Sequence, residues 1–274
     1  RGLGDVYKRQ TVNRLHRELA PISAAAWAAL DEEASENLKI FLAARRLMDF
    51  HGPTGATCLP TGRIERVGGD DASVARVVTM PMFELNSRFT MARPEIEALE
   101  RGAVDVDFDP LREAARHIAA AEDGLVFQGI DGVSTVGIAT ATPHEALDIS
   151  PDYTQYPSVV ANAVAILRDA GVGGPYGLAL GPRCYRGVME TTDQGGFVLD
   201  HLRKITGGPL VWAPTVNGAL VISMQGGDHH LEASEDLALG YRHHDGDSVE
   251  LFLTETIGFR LDGDDAAVVL RHPD

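Results

Sequence analysis

Cysteines and long apolar runs are both scarce in this sequence. Its 274 residues include two cysteines, Cys58 and Cys184, which excludes a disulfide framework and a thiolate metal cluster. No apolar run reaches the roughly 20 residues that a helix needs to cross a bilayer, and no apolar core of a secretory signal is present. These absences predict a soluble protein of the bacterial cytoplasm.

Positive charge is also in short supply. The chain carries 40 acidic residues against 24 lysines and arginines, for a net charge of −16. Such a surface repels nucleic acids and anionic membranes and attracts cations. We therefore expect neither nucleic acid nor a membrane among the partners of this protein.

The first eleven residues, 1–11, are expected to be a non-native leader. Residues 5–10 correspond to the codons of a transposase adaptor end used in sequencing libraries, and residues 1–4 fit the adaptor upstream. Val12 would then be a GTG start codon. A genuine basic leader is the alternative. Such a scar is excluded from fold reasoning, and the remainder suffices for one large domain or two joined lobes.

Hydrophobic periodicity predicts helices in the first half of the chain. Ser23 is placed to cap the first of them, and apolar residues recur every three or four positions, at Trp27, Leu30, Ala34, Leu38 and Phe41. Pro94 starts a short helix that Gly102 ends. A longer helix begins at Pro110, and its continuous apolar stripe indicates a central spine.

The sequence predicts strands in a hairpin, in an α/β lobe and in the last part of the chain. Two β-like runs, at 63–67 and 74–80, flank the turn signal Gly68-Gly69-Asp70-Asp71. A lone two-stranded ribbon is marginal in water, so this hairpin needs a partner surface. Helices at 157–170, 182–190 and 197–205 with a strand at 176–180 predict an α/β lobe, and strands are predicted afterwards at 219–224, 229–232, 248–256 and 266–270.

Familiar catalytic motifs are missing. The sequence has no Gly-x-Ser-x-Gly elbow, Walker loop or dinucleotide fingerprint, so we predict no catalytic residues. Cys184 with His201 as its base is one candidate nucleophile. A buried, small apolar group is the more common role of a cysteine.

Two histidine pairs, His229-His230 and His243-His244, lie on or near neighbouring predicted strands with acidic residues close by. Imidazole and carboxylate groups bind divalent metals. Adjacent residues of a strand point to opposite faces, however, so each pair offers one ligand per face. Solvated turns and strand edges are the favoured interpretation, and we predict no metal site.

Several blocks of the sequence resemble the shell proteins called encapsulins, earlier known as linocin-type bacteriocins. They run in order across nearly the whole chain after the leader: Leu15-His16-Arg17-Glu18-Leu19-Ala20-Pro21 with Trp27, Arg45-Arg46 with Asp49, Phe89-Thr90, Leu99-Glu100-Arg101-Gly102, Gly174-Pro175-Tyr176, Gly226-Gly227-Asp228, Asp236-Leu237, Gly240-Tyr241 and Leu251-Phe252-Leu253-Thr254-Glu255-Thr256. No single block is decisive, but together they are highly specific.

The resemblance implies the α+β fold of tailed-phage major capsid proteins, with a peripheral domain, an extended loop and an axial domain. It implies these boundaries: 12–51 as the first part of the peripheral domain with the N-terminal helix, 52–84 as the extended loop, 85–139 as the second peripheral part with the spine helix, 140–225 as the axial domain, and 226–274 as the third peripheral part.

The implied function is that of a shell protomer rather than an enzyme. Copies assemble into a closed icosahedral nanocompartment, expected to be of the smallest size. The shell encloses a cargo enzyme, a peroxidase or a ferritin-like iron oxidase, docked through a C-terminal targeting peptide. A prophage major capsid protein is the alternative, and a secreted bacteriocin or protease is a more distant one.

The resemblance also implies two sites. Positions that contact the cargo tail in the family correspond here to Leu38, Leu42, Arg45, Asp49 and Asp236. The alternative is that both leucines are ordinary core and that Arg45 forms an ion pair of modest value with Asp49 or Asp236. The pore at the five-fold axis corresponds to Thr191, Thr192, Asp193, Gln194, Gly195 and Gly196. A ring of Asp193 side chains would favour cations there, and a solvated loop without selectivity is the alternative.

A flavin cofactor is a further family trait. The flavin-binding members have a tryptophan before the position of Glu95, and a flat ring can stack on the isoalloxazine. This chain has Pro94 instead. We therefore expect no cofactor.

Overall fold

The structure is a computed structural model that describes residues 14–69, 72–130, 132, 135–193 and 195–273. The expected leader at 1–11, the turn residues Asp70 and Asp71, and the predicted pore residue Gln194 lie outside the described residues. Among the residues described, no helix is long and apolar enough to span a bilayer.

Helices and strands are interspersed as far as α7, and the elements after α7 are strands. The α-helices lie at Ala24–Phe41 (α1), Arg93–Glu100 (α2), Asp109–Phe127 (α3), Ile138–Ala141 (α4), Tyr156–Asp169 (α5), Pro182–Glu190 (α6) and Val198–Thr206 (α7). The strands lie at Asp49–His51 (β1), Leu59–Gly68 (β2), Val74–Met80 (β3), Phe83–Ala92 (β4), Leu147–Asp148 (β5), Tyr176–Leu180 (β6), Thr192–Asp193 (β7), Gly196–Phe197 (β8), Gly207–Trp212 (β9), Ala219–Ser223 (β10), His229–His244 (β11), Ser248–Leu261 (β12) and Ala267–Arg271 (β13).

Helix α1 begins where the sequence predicts. Ser23 Oγ accepts a hydrogen bond from Ala26 N at 3.2 Å, which satisfies one of the free N–H groups of the first turn. The apolar face is buried, with Leu30 fully enclosed. Helix α2 has Pro94 in its first turn and ends before Gly102, whose φ of 86° suits glycine.

The first sheet has four strands in the order β1-β11-β12-β4. Its two long neighbours, β11 and β12, are antiparallel, and β1 joins the edge in parallel. Alternate residues of β12 are buried, and they pack with α1 and α3 into one core. Strand β11 extends far beyond the predicted range 229–232. The sequence pattern did not indicate this length, because bulges break the period-2 alternation of the strand.

The second sheet has five strands in the order β5-β13-β10-β6-β9. Every residue of β6 and β10 is buried. Helices α5, α6 and α7 pack on one face, and a further core that includes Phe127 and Phe259 covers the other. Strands buried on both faces read as continuous apolar runs, which explains the short apolar segments of this region.

Strand β13 departs from the expected boundaries. It pairs antiparallel with β10 in the second sheet, although the whole of 226–274 is expected to complete the lobe of the first sheet. Val268 and Leu270 pack with the helices while Ala267 faces the shared core. A strand apolar on both faces is stable only inside a sheet covered on both sides. The other boundaries stay predictions.

The predicted hairpin is observed as β2 and β3. Its strands extend from the rest of the chain as a separate two-stranded sheet. Ile64 lies opposite Val77, and their exposed fractions are 74% and 60%. This pair places apolar surface in solvent at the point where the hairpin has no second layer.

Candidate functional site

A groove with a volume of about 450 Å³ lies between α1 and the first sheet. Its floor is apolar and its edges are polar or charged. The lining residues are Asp31, Ala34, Ser35, Leu38, Lys39, Leu42, Arg45, Asp236, Leu237, Ala238, Leu239 and Leu253. A concave apolar surface with a few polar groups is the usual form of a binding site.

Four of the five predicted docking residues line this groove: Leu38, Leu42, Arg45 and Asp236. Leu38 and Leu42 are 6% and 8% exposed and belong to the core beneath α1. They are thus core residues whose outer surface forms the groove floor. Their contact with cargo stays a prediction.

Asp49, the fifth predicted residue, lies elsewhere. Its Oδ2 accepts a hydrogen bond from Gly227 N at 2.8 Å and lies 3.9 Å from His230 Nδ1. Asp49 is already in β1, where successive side chains alternate between faces. Asp49 therefore does not line the groove with Arg45, because a spacing of four residues brings side chains together on a helix and not at the start of a strand. Its contact with cargo stays a prediction.

Arg45 is the centre of an ionic network under the groove. It lies in the 3₁₀ turn Ala44–Arg46 that follows α1. Its Nε donates to Glu122 Oε2 at 2.8 Å, Nη1 donates to Asp236 Oδ1 at 2.7 Å, and Nη2 donates to Glu255 Oε2 at 2.7 Å. The guanidinium also lies 4.3 Å from the centre of the Phe50 ring. Every edge of the guanidinium is thus engaged within the chain.

A bulge in β11 brings Asp236 to Arg45. Glu235 pairs with Thr256 while Ala238 pairs with Thr254, so three steps on β11 face two on β12. An extra residue in one strand re-aims the side chains beside it. Asp236 Oδ1 additionally accepts from Leu237 N at 2.8 Å, which fixes the carboxylate at the edge of the groove.

The carboxyl groups of this network outnumber its cation. Glu122, Asp123 and Glu255 are fully buried, and with Asp236 they oppose the single charge of Arg45. Burial, followed by the charge of Glu122, raises the pKa of Glu255 well above its usual value. Burial also raises the pKa of Asp123 to about 7, although hydrogen bonds from Ala44 N and other groups oppose that shift. The network therefore holds protons that exposed carboxyl groups would lose.

The predicted pore loop is a tight hairpin. Strands β7 and β8 pair Asp193 with Gly196, and Gly195 takes a φ of 84° that favours glycine. The hairpin joins α6 to α7. Met189 and Phe197, 44% and 53% exposed, flank it. The pore assignment itself stays a prediction.

The cysteine candidate is overturned by its surroundings. Cys184 is fully buried; Tyr156 donates its hydroxyl to Cys184 Sγ at 3.0 Å, and His272 Nε2 lies 3.3 Å away. His201, the expected base, lies on α7 instead. Burial raises the pKa of the Cys184 thiol, so the thiolate needed for attack is disfavoured.

The two histidine pairs occupy opposite ends of one strand. His229 and His230 begin β11, and His243 and His244 end it. The two predicted strands are neighbours, as β11 and β12, but β11 extends through both pairs and separates them along its length. Burial lowers the pKa of His229 to about 4. Among the described residues, no group of three or more histidine, cysteine or acidic side chains is arranged to hold a metal ion.

Pro94 lies in the first turn of α2. Arg93 N donates to Asp247 O at 2.8 Å, and Glu95 Oε2 accepts from Asp107 N at 2.9 Å. The first turn of α2 is thus tied to neighbouring backbone groups. Pro94 adds no ring on which an isoalloxazine stacks. The absence of a flavin stays a prediction.

Comparison with known proteins decides the family. The family described as the encapsulating protein for peroxidase, Linocin_M18, matches residues 12–258. A type 1 encapsulin shell protein of Rhodospirillum rubrum is 47% identical over 271 residues, which cover 95% of this chain and 97% of the relative. One from Mycobacterium tuberculosis is 38% identical over 265 residues, covering 95% and 100%. The chain belongs to the encapsulin family.

Solved structures support the encapsulin fold independently of sequence. A virus-like particle from Pyrococcus furiosus has a TM-score of 0.63 at 19% identity, covering 89% of this chain and 99% of that one. Mycobacterium phage Bobi gives 0.57 at 14% identity, covering 85% and 91%. Identities this low concern the fold alone. The predicted α+β, capsid-like fold is confirmed.

Sequence reasoning missed the buried acids of this encapsulin. Glu255 follows Leu251 and Leu253 on the inward face of β12, and Ile257 continues that face. A charged residue in such an alternation is a signal of a buried ion pair. Glu122 similarly lies within the buried stripe of α3. The other missed residues, such as Ser35 and Ala238, carry no comparable signal.

Asp123→Asn should flatten the pH dependence of stability between about pH 4 and pH 7. The raised pKa of Asp123 means that its contribution is fully present below 3.8 and is lost as the pH rises through about 7. Asparagine keeps an oxygen that accepts from Ala43 N and Ala44 N but carries no charge. Chemical unfolding of the purified protein at several pH values measures the difference, on the order of a few kcal/mol.

Glu113→Gln is the matched control, because Glu113 lies on the same helix with a side chain 66% exposed. It should follow the wild-type profile. Parallel pH profiles for Asp123→Asn and the wild type would contradict the assignment.

Proposed function

We propose that this encapsulin chain is the protomer of a closed compartment in the bacterial cytoplasm, and that the groove beside α1 docks the C-terminal tail of an enclosed enzyme. A peroxidase or a ferritin-like iron oxidase is the proposed cargo. The observation that carries the docking step is the groove itself, with Leu38 and Leu42 on its floor and Asp236 at its edge.

The shape of the protomer supports assembly with further copies. Ile64, Val67, Val74 and Val77 of the hairpin are all more than half exposed. Apolar surface of this kind is stabilised when another copy covers it. Closed symmetric particles repeat one such contact around every axis.

The groove suits an extended peptide. Alternate side chains of a peptide need apolar pockets, and its backbone and charged groups need partners at the edge. The apolar pockets are formed by Leu38, Leu42 and Leu253. The polar partners at the edge are Asp31, Lys39 and Asp236. Arg45 has its donors engaged by three carboxylates, so we assign it to holding Asp236 rather than to the peptide.

A role without catalysis accompanies this proposal. The relatives are named as shell proteins. The buried thiol of Cys184, hydrogen-bonded by Tyr156, is a structural group. Chemistry then belongs to the cargo, and the shell controls what reaches it.

Ser35→Trp should abolish cargo loading without affecting assembly. Ser35 lines the groove from the exposed side of α1, so an indole there occupies the space of the peptide. The probe is a fluorescent protein fused to the C-terminal tail of the enzyme encoded beside the shell gene. Its amount per purified particle should fall by about tenfold or more, which corresponds to 1.4 kcal/mol or more.

Glu36→Trp is the control, because Glu36 is exposed on the same helix but does not line the groove. It should load normally. Full loading of Ser35→Trp particles would place the docking site elsewhere.

Asp193→Lys should slow the entry of Fe²⁺. We propose that the β7–β8 hairpin lines the five-fold pore, where repeated Asp193 carboxylates attract cations and repeated lysines repel them. Stopped-flow quenching of an enclosed fluorescent protein by Fe²⁺ measures entry, and the rate should fall on the order of tenfold. Asp169→Lys, at the exposed end of α5, is the control. An unchanged rate in Asp193→Lys would favour a solvated loop without selectivity.

Purified shells should lack stoichiometric flavin, because Pro94 offers no aromatic face on which the isoalloxazine can stack. Absorbance of the intact particle, followed by fluorescence after acid release, measures the flavin content. One flavin per protomer would overturn this prediction. Pro94→Trp tests the stacking argument directly, since it restores an aromatic face at the same position.

A further inference from the structure

Glu122 and Glu255 approach Arg45 from different elements, α3 and β12. Both side chains are fully buried. Nη2 of Arg45 lies 2.7 Å from Glu122 Oε2 and 2.7 Å from Glu255 Oε2, so the two oxygens lie no farther apart than twice that distance. Two carboxylates so close in a dry site repel each other strongly when both are ionised.

Glu255 has an atom that the network leaves unsatisfied. Its Oε1 is buried and has no hydrogen-bond partner among the described residues, whereas Oε2 accepts from Arg45. A buried carboxylate oxygen without a donor is costly. A proton on Glu255 removes the charge and provides a donor toward Glu122, and the close approach of the two side chains suits this arrangement.

A proton on the Glu122–Glu255 pair would set the net charge of the groups next to Asp236. With one proton on the pair, Arg45, Glu122 and Glu255 together are neutral, and Asp236 remains paired with Nη1 at 2.7 Å. Without that proton the three groups carry one net negative charge. Asp236 is then repelled by the group that had held it. Because Asp236 lines the groove, the shape and charge of the groove edge change with it.

We propose that Glu122 and Glu255 share one proton and that this proton keeps Asp236 on Arg45 at the edge of the groove. Glu255 is thus a positioning residue that acts on the groove through Arg45. The inference of a shared proton rests on the geometry of the network. Its effect on cargo binding also rests on the proposed function.

The charged and titratable groups around the pair fix the direction of the effect. Arg45 comes from the turn after α1, Asp123 from α3 beside Glu122, and Asp236 from β11; Lys39 of α1 also lines the groove. Burial, then the charge of Glu122, raises the pKa of Glu255, and Arg45 opposes that shift. The proton is therefore retained to a higher pH than on an exposed glutamate and is lost as the pH rises further. Raising the pH through that transition should loosen Asp236.

The first test uses assembled wild-type shells without cargo. Infrared difference spectra in D₂O should show the C=O stretch of a buried protonated carboxyl group that disappears on alkaline titration. The band should be absent in Glu255→Gln and retained in Glu235→Gln, whose exposed side chain lies on β11 next to Asp236. Asp123→Asn should also retain it, which separates this proton from that of Asp123. A wild-type spectrum without such a band would overturn the proposal, even if no variant assembles.

The second test measures the groove. Wild-type shells that are disassembled and reassembled with the tail-fused fluorescent protein should bind it more weakly above the midpoint of the infrared titration, by up to about tenfold per pH unit. Binding to Glu255→Gln should be independent of pH over the same range. An equal loss of affinity in wild type and Glu255→Gln would refute the coupling. If the fusion binds no shell at any pH, the proposed docking fails while the infrared result still decides the shared proton.

Discussion

A buried guanidinium that faces more carboxylates than it can neutralise is the constraint on which the first lobe depends. Arg45 connects the end of α1 to α3, β11 and β12 through Glu122, Asp236 and Glu255. Removing one partner of a buried ion pair leaves an uncompensated charge, at a cost of about 3–5 kcal/mol. The end of α1, α3, β11 and β12 are therefore held in position by this ionic network as well as by apolar packing. The groove, which lies between α1 and the first sheet, is held rigid by the same contacts.

Periodicity was enough to predict most elements but not all of their partners. The cap at Ser23, the stripe of α3 and the hairpin all follow from local pattern, because each depends on neighbours in sequence. Strand β13 could not be placed this way, since its pairing with β10 joins distant segments. The position of Asp49 relative to Arg45 could not be predicted for a related reason. A spacing of four residues brings side chains together only on a helix, and the chain leaves helical geometry after Arg46.

The residues of the candidate site also differ in whether local sequence pattern indicates them. Leu38 and Leu42 were proposed as docking residues from the family resemblance, and the period of α1 adds only that Leu38 faces the core. Glu255 could have been recognised, since it interrupts an inward alternation of leucine and isoleucine on β12. The bulge at Asp236 could not, because the extra residue depends on how β11 registers against β12. Register is a tertiary property, and one residue of slip changes which side chains reach the core.

Assembly must overcome the charge of the chain, and the ranges of the two forces explain how it can. A net charge of −16 repels other copies, but at physiological salt screening confines that repulsion to about 8 Å. Burial of apolar surface acts only at contact and is worth about 2.5 kcal/mol for each 100 Å². The exposed valines and Ile64 lie on the hairpin, which forms a two-stranded sheet of its own. Apolar contact there would stabilise a pair of copies at short range, whereas acidic groups more than about 8 Å apart would repel each other only weakly.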